Sequence, residues 1–282
     1  MKTLGLLMAL LWVASCQSDT RNLEHKIDEL NKKVDLLVAG GGARGGRGPE
    51  RPSRPAPDAA KTYAVPIDGD AFEGPADAKV TLVKAYDYAC PYCEKVRTTM
   101  DDLRKKYGND LRIVYKQFVV HPQTATVSAL AFCAAARQGK AAPMNNLLWD
   151  KGFKARNFDK DAEGGGPPQK CWDSAAGCPI AIGFAQELKL DVPKFKTDMK
   201  DCQQLIQKDM RDLQQFGVGA TPSFFINGRF MSGASPIETF SALIDDELKK
   251  ANERIQQGAS AAEYYKQWVL DKGLKSLEVP KG

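Results

Sequence analysis

Hydrophobic positions along this chain alternate every second residue in some blocks and recur every three to four in others, which separates strands from helices. Val80 to Ala85 is a β-branched run that reads as a half-buried strand, and Leu111 to Gln117 reads as the next one. Between them Val96, Met100, Leu103 and Tyr107 keep helical spacing within a helix predicted from Glu94 to Tyr107. An Ala-rich helix follows over Thr124 to Gly139, with the segment around Trp149 and Phe153 packed on it, and a Gly/Pro break comes at 164–168. Ile180 to Leu190 and Pro193 to Phe216 then form a helical hairpin turned at Asp191-Val192-Pro193. Phe224 to Ile226 and Phe230 to Ser232 are two strands whose link, Asn227-Gly228, is the strongest short hairpin signal. Strands and helices in this order place the folded part in the α/β class.

The N-terminal fifth follows other rules. Leu23, Ile27, Leu30, Val34 and Leu37 form a heptad seam with charged residues between them, so a short coiled-coil-like helix is expected within 16–38. Two readings stand: residues 19–38 join copies of the chain into a homo-oligomer, or the helix is a solitary spacer. Residues 39–61 hold six Gly and four Pro with almost nothing apolar. They are a linker, with a flexible-coil reach of roughly 25 Å. The folded unit is expected over 62–282, with a helical insert at about 121–216.

Charge changes this picture little. The net charge is +5. Most of it comes from Lys2 and the Arg-rich linker, so no folded basic face exists for a nucleic acid. Residues 1–15 carry one cation, an apolar stretch too short to span a bilayer, and then small residues, the pattern of an export signal. Val13-Ala14-Ser15-Cys16 resembles the lipobox of bacterial lipoproteins. The resemblance implies that Cys16 is lipidated and anchors the chain to a lipid bilayer, in the cell envelope and facing the periplasm. In such lipoproteins Asp after the cysteine favours the inner membrane; here the residue is Gln17, which favours the outer one. Of the seven cysteines six then remain, an even number suited to an oxidising compartment. The other reading is an ordinary signal peptide followed by a stray thiol.

Cys90-Pro91-Tyr92-Cys93 sits where a strand gives way to a helix. Helix N-termini favour anions, so Cys90 should be the thiolate that attacks, on the exposed side, and Cys93 the thiol that resolves the mixed disulfide. A zinc site would need more ligands: the other close pair, Cys171 and Cys178, is spaced by six residues and the chain has two His, His25 and His121. A purely structural Cys90–Cys93 bridge would close too small a loop to gain much. No metal and no organic cofactor is therefore expected.

Far downstream, Thr221-Pro222 precedes Ser-Phe-Phe-Ile-Asn-Gly, at a strand start where proline is tolerated and a cis bond can occur. With Cys90-Pro91-Tyr92-Cys93 and the order of the two motifs, residues 62–257 resemble the DsbA family of thioredoxin-fold disulfide oxidoreductases. The resemblance implies a thioredoxin-like fold with an inserted helical domain and a cis-proline facing the dithiol. It makes Thr221 and Pro222, with Pro91 and Tyr92, the substrate-binding positions. Members often carry a buried glutamate six residues before the first active cysteine; this chain has Lys84 there, whose charge would favour the thiolate and make the pair more oxidising. Asp87 is the nearest acid in sequence.

The expected activity is thiol-disulfide exchange with cysteine-containing exported proteins, recharged by a membrane or periplasmic redox partner. Oxidase ranks ahead of isomerase and reductase. The rival from another class is a non-redox peptide-binding or assembly module on the same scaffold. For the remaining cysteines, Cys178 and Cys202 lie twelve residues to either side of the hairpin turn near 190, which predicts that they pair, leaving Cys133 with Cys171.

Overall fold

The computed structural model describes residues 56–160 and 170–277, together with Lys26 and Glu29. The chain divides into Met1–Ser53 and Arg54–Gly282. In the first unit Lys26 and Glu29 are helical and exposed. The export signal, Cys16, the rest of the heptad helix and the linker up to residue 55 lie outside the described residues.

In the second unit β1 (Phe72–Glu73), β2 (Val80–Tyr86), β3 (Leu111–Gln117), β4 (Ser223–Ile226) and β5 (Arg229–Ser232) form one sheet in the order β1-β3-β2-β4-β5. β2 runs parallel to β3 and antiparallel to β4, and β1 and β5 are antiparallel edges. A parallel pair needs a crossover, supplied here by α1 (Pro91–Lys95) and α2 (Arg97–Tyr107). β2 was expected to be half buried, yet all seven of its residues are buried. It is the central strand, covered on both faces, so its unbroken burial reflects two-sided packing.

The segment between β3 and β4 is helical: α3 (Pro122–Ala136), α4 (Ala141–Leu147) running into a wider turn at Leu148–Phe153, α5 (Asn157–Lys160), α6 (Pro179–Glu187) and α7 (Val192–Gln215). The Asp191 side chain caps α7 by accepting from the Lys194 N–H, where the sequence placed the hairpin turn. Ile237–Gln256, α8, returns to the sheet after β5. Its Phe240 meets Phe224 edge-to-face with ring centroids 4.8 Å apart. Asn227 and Gly228 both have positive φ, as a type I′ turn requires, and a Cβ at Gly228 would stand 2.5 Å from the Tyr63 carbonyl oxygen.

Two expectations need correction. The folded part begins before Thr62: Pro57 is buried, the Asp58 N–H donates to the Tyr63 hydroxyl, and the Arg229 guanidinium donates to the Ala59 carbonyl. The disulfides are Cys133–Cys202 and Cys171–Cys178, not Cys178–Cys202 with Cys133–Cys171. The arithmetic assumed that Cys178 lies on a helix running level with α7. It stands instead at the N-cap of α6, within reach of Cys171, with a Cα–Cα distance of 4.9 Å. α7 lies chiefly against α3, which brings Cys202 to Cys133.

Candidate active site

Alternation along β2 decides which side chains reach the site. Leu82 and Tyr86 belong to the core on the α1–α2 side of the sheet, whereas Val83 and Ala85 belong to the core on the other face. Period two puts Lys84 on the face of Leu82 and Tyr86, which is also the face of Cys93. Lys84 is buried, its Nζ 4.9 Å from the ring centre of Tyr86 and 5.5 Å from that of Tyr115. Burial lowers its pKa to about 8, against an opposing pull, the largest from Cys93.

Beyond β2 the buried carboxylate of Asp87 organises the turn. It accepts from the backbone N–H groups of Ala89 at 2.6 Å, Val120 at 2.6 Å and His121 at 2.8 Å, with the His121 ring Nδ1 3.2 Å away. It therefore ties the turn before Cys90 to the loop between β3 and α3. The carboxylate of Asp87, the acid nearest to Cys90 in sequence, thus faces the turn and the loop rather than either thiol. Its backbone N–H is the part that serves Cys93, lowering that thiol's pKa against larger opposing effects.

Cys90 is the N-cap of α1 with Pro91 in the first turn, and Cys93 lies one turn on. Both are free cysteines. The Cys90 thiol donates to the Thr221 carbonyl oxygen at 3.3 Å, and the Thr221-Pro222 bond is cis. The loop is held from behind: the Gly233 N–H donates to the Pro222 carbonyl at 2.9 Å and the Ser223 hydroxyl to that of Ala220 at 2.8 Å. Thus 131 residues of chain separate two groups in direct contact. Pro91 and Tyr92 are exposed, Tyr92 by 63%, in the same turn.

The two sulfurs differ sharply. A hydrogen bond from Cys93 is the largest influence on Cys90; with the backbone N–H groups of Cys93 and Tyr92 it helps outweigh burial and lower the Cys90 pKa to about 5. Burial, and then the hydrogen bond to Cys90, push Cys93 well above the ordinary thiol range. Two sequence expectations shift here. Cys90 does not project: it is only 5% exposed, because the Thr221 carbonyl closes over it. Lys84 acts on Cys93 rather than on Cys90, because the strand's alternation aims it beneath the helix terminus.

Sequence reasoning missed His121 and the fixing role of Asp87. Their signal was faint, an acid three residues ahead of Cys90 and a lone His before a proline. Among the described residues no three His, Cys, Asp or Glu side chains are placed to hold a metal ion.

A mixed sheet with a helical insert, two free thiols in a Cys-Pro-Tyr-Cys turn and a facing cis-proline define a thioredoxin-fold protein. The thioredoxin family model matches residues 68–246, and the chain belongs to that family. The fold is shared with α-DsbA1 of Wolbachia pipientis, at TM-score 0.52 and 16% identity over 68% of this chain and 96% of that one. It is shared also with BdbD of Bacillus subtilis, at TM-score 0.50 and 20% identity over 67% and 98%. In sequence the chain is 33% identical over 185 residues to the Na(+)/H(+) antiporter NhaA of Herminiimonas arsenicoxydans, covering 64% of this chain and 26% of that protein. NhaA 1 of Salinispora arenicola is 30% identical over 187 residues, 64% and 25%. The chain thus spans about a quarter of the length of these curated relatives. Among the described residues no helix is long and apolar enough to cross a membrane.

Proposed function

We propose that this chain is a protein-disulfide oxidoreductase that exchanges disulfides with cysteines of exported proteins, acting chiefly as an oxidase. The observation that carries the reading is the asymmetry of the dithiol, with Cys90 at about 5 and Cys93 held protonated. In the oxidised enzyme a substrate thiolate attacks Cys90 Sγ; the Cys90–Cys93 bond breaks, and Cys93 leaves and takes a proton. The substrate's second thiolate then attacks its own sulfur in the mixed disulfide and expels Cys90 as a stable thiolate. The substrate has lost two electrons and the enzyme holds them. A membrane or periplasmic redox partner must remove them before the next turnover.

A leaving group that is stable as an anion favours the reduced enzyme and so makes the disulfide oxidising, which ranks oxidase above isomerase and reductase. The Thr221 backbone and cis-Pro222, with Pro91 and Tyr92, would present the substrate strand to Cys90. The export signal and Cys16 support a lipid-anchored location in the envelope, on the outer membrane and facing the periplasm. Residues 19–38 would add an oligomer, which an isomerase would use more than an oxidase. Antiport belongs to the whole relatives by name, and thiol-disulfide exchange needs only the matched part.

Equilibration with glutathione tests the reading. It expects a Cys90/Cys93 potential between about −180 and −120 mV. A value near the roughly −270 mV of thioredoxin would make the chain a reductase. Retention of full biological activity by the Cys90→Ser/Cys93→Ser protein would make it a binding module.

A further inference from the structure

A thiol attacks a disulfide only as its thiolate, so oxidation of a substrate at Cys90 begins with loss of the substrate's thiol proton. The dithiol cannot take that proton, because both of its sulfurs are then in the disulfide. Most ionisable groups around it cannot take it either. Lys84 and Asp87 are buried. Glu94, in the turn itself, is shared by Lys154 at 3.1 Å and Arg97 at 3.8 Å. Lys154 is held as a cation by Glu94 and, at 3.5 Å, by Asp150, which raises its pKa.

His121 differs from all of these. It lines a hollow of about 440 Å³ together with Tyr88 and Ala89, the two residues that precede Cys90. Its side chain is 50% exposed. Arg156 lines the same hollow, but a guanidinium has no lone pair to offer a proton. The His121 ring is held in one orientation, because its backbone N–H and its Nδ1 both meet Asp87 Oδ2, at 2.8 and 3.2 Å. That oxygen also accepts from the Val120 N–H, and Asp87 Oδ1 accepts from the Ala89 N–H, both at 2.6 Å.

A carboxylate oxygen already accepting N–H bonds presents the ring with an acceptor, so these partners assign the hydrogen to Nδ1. In the neutral imidazole the lone pair then lies on Nε2, the nitrogen turned away from Asp87. One buried carboxylate thus holds an exposed imidazole in the tautomer that can accept a proton. Its other oxygen holds the residue next to Cys90, so base and nucleophile share one frame. A carboxylate behind a histidine both orients the ring and stabilises the imidazolium formed when it takes a proton.

We propose that His121 is a further catalytic residue, whose Nε2 accepts the proton of the substrate thiol; the proposal rests on the oxidoreductase function assigned to the dithiol. The substrate S–H bond breaks and its electron pair stays on sulfur. The first substrate thiolate attacks Cys90 and expels Cys93. The second attacks the substrate sulfur of the mixed disulfide and expels Cys90 with the electron pair of the broken S–S bond. In each case the imidazolium returns its proton to water, and His121 carries no electrons.

Single-turnover oxidation of a reduced dithiol peptide by the oxidised full chain, at about pH 7 and about pH 9.5, tests the assignment. His121→Gln keeps an N–H for Asp87 but loses the basic nitrogen. It should slow the reaction at least about tenfold at the lower pH, the low end for a general base. At the higher pH the loss should shrink to less than about twofold, because thiols of ordinary pKa, about 8.5, ionise there unaided. His121→Gly should show the same loss at the lower pH and regain at least about fivefold in rate on addition of imidazole. A ring that only held the turn in place would give equal losses at both pH values and no rescue, and either result would overturn the assignment. So would an undiminished rate in His121→Gln at the lower pH. A wild-type chain that oxidises the peptide at neither pH would overturn the oxidoreductase function and His121 with it, whereas the other results overturn His121 alone.

Discussion

Two cysteines of this chain are set into nearly the same backbone and have opposite fates. Cys90 and Cys178 are both helix N-caps in extended conformation, with φ/ψ of −88°/116° and −97°/106°, and both are followed by proline in the first turn. The dipole and unpaired N–H groups of a helix start are available to each. Cys178 is wholly buried and bonded to Cys171, whereas Cys90 is free, faces the Thr221 carbonyl and receives a hydrogen bond from Cys93. The difference teaches that a helix terminus alone does not make a nucleophile. What does is a second sulfur on the following turn, together with a loop brought from more than a hundred residues away.

The largest effect should separate the two helix starts. Cys90→Ser should lower the rate of exchange by more than about a thousandfold, while Cys171→Ser/Cys178→Ser should leave it within a few-fold, measured by oxidation of a reduced dithiol peptide. Next comes stability. The Cys133–Cys202 bridge spans 69 residues and Cys171–Cys178 spans 7. Loop entropy predicts a loss of about 4 kcal/mol on removing the first and about 2.5 on removing the second, read from denaturant midpoints. Equal losses would mean that strain or residual unfolded structure outweighs loop length.

Titration should also distinguish the sites. The folded Cys90 pKa is depressed, so its contribution to the reduced protein appears as pH rises from about 5 towards the unfolded thiol value, and is lost as pH falls through 5. Reduced minus oxidised stability should therefore gain about 2.3 kcal/mol between pH 5 and pH 7, while the Cys171–Cys178 bridge contributes no such slope. The smallest effect concerns Lys84. Lys84→Met removes its charge from beside Cys93 and should slow Cys93 alkylation several-fold, while the Cys90 profile stays in place. Movement of the Cys90 profile instead would return Lys84 to the role first expected from the sequence.

The chemistry of this site was more legible in the sequence than its covalent frame. Cys90 to Cys93 and Thr221-Pro222 carry their meaning in short motifs whose geometry is local, and β2, β3 and the Asn227-Gly228 hairpin follow from alternation and turn residues. The disulfides do not, because pairing depends on which helix α7 packs against, and counting residues from a turn assumes that neighbours in sequence are neighbours in space. The burial of Cys90 was hidden for the same reason: the carbonyl that covers it belongs to Thr221. Lys84 could have been aimed correctly, since its parity with Leu82 and Tyr86 is written in β2.

The central claim is that this site splits two chemically identical thiols into a thiolate and a persistent thiol. Alkylation of the reduced protein across pH 3 to 9, with each cysteine quantified by peptide mass, tests it most directly. Cys90 should label with a midpoint near 5, and Cys93 should hardly label over the whole range. A Cys90 midpoint near the ordinary value of about 8.5, or labelling of Cys93 before Cys90, would contradict it.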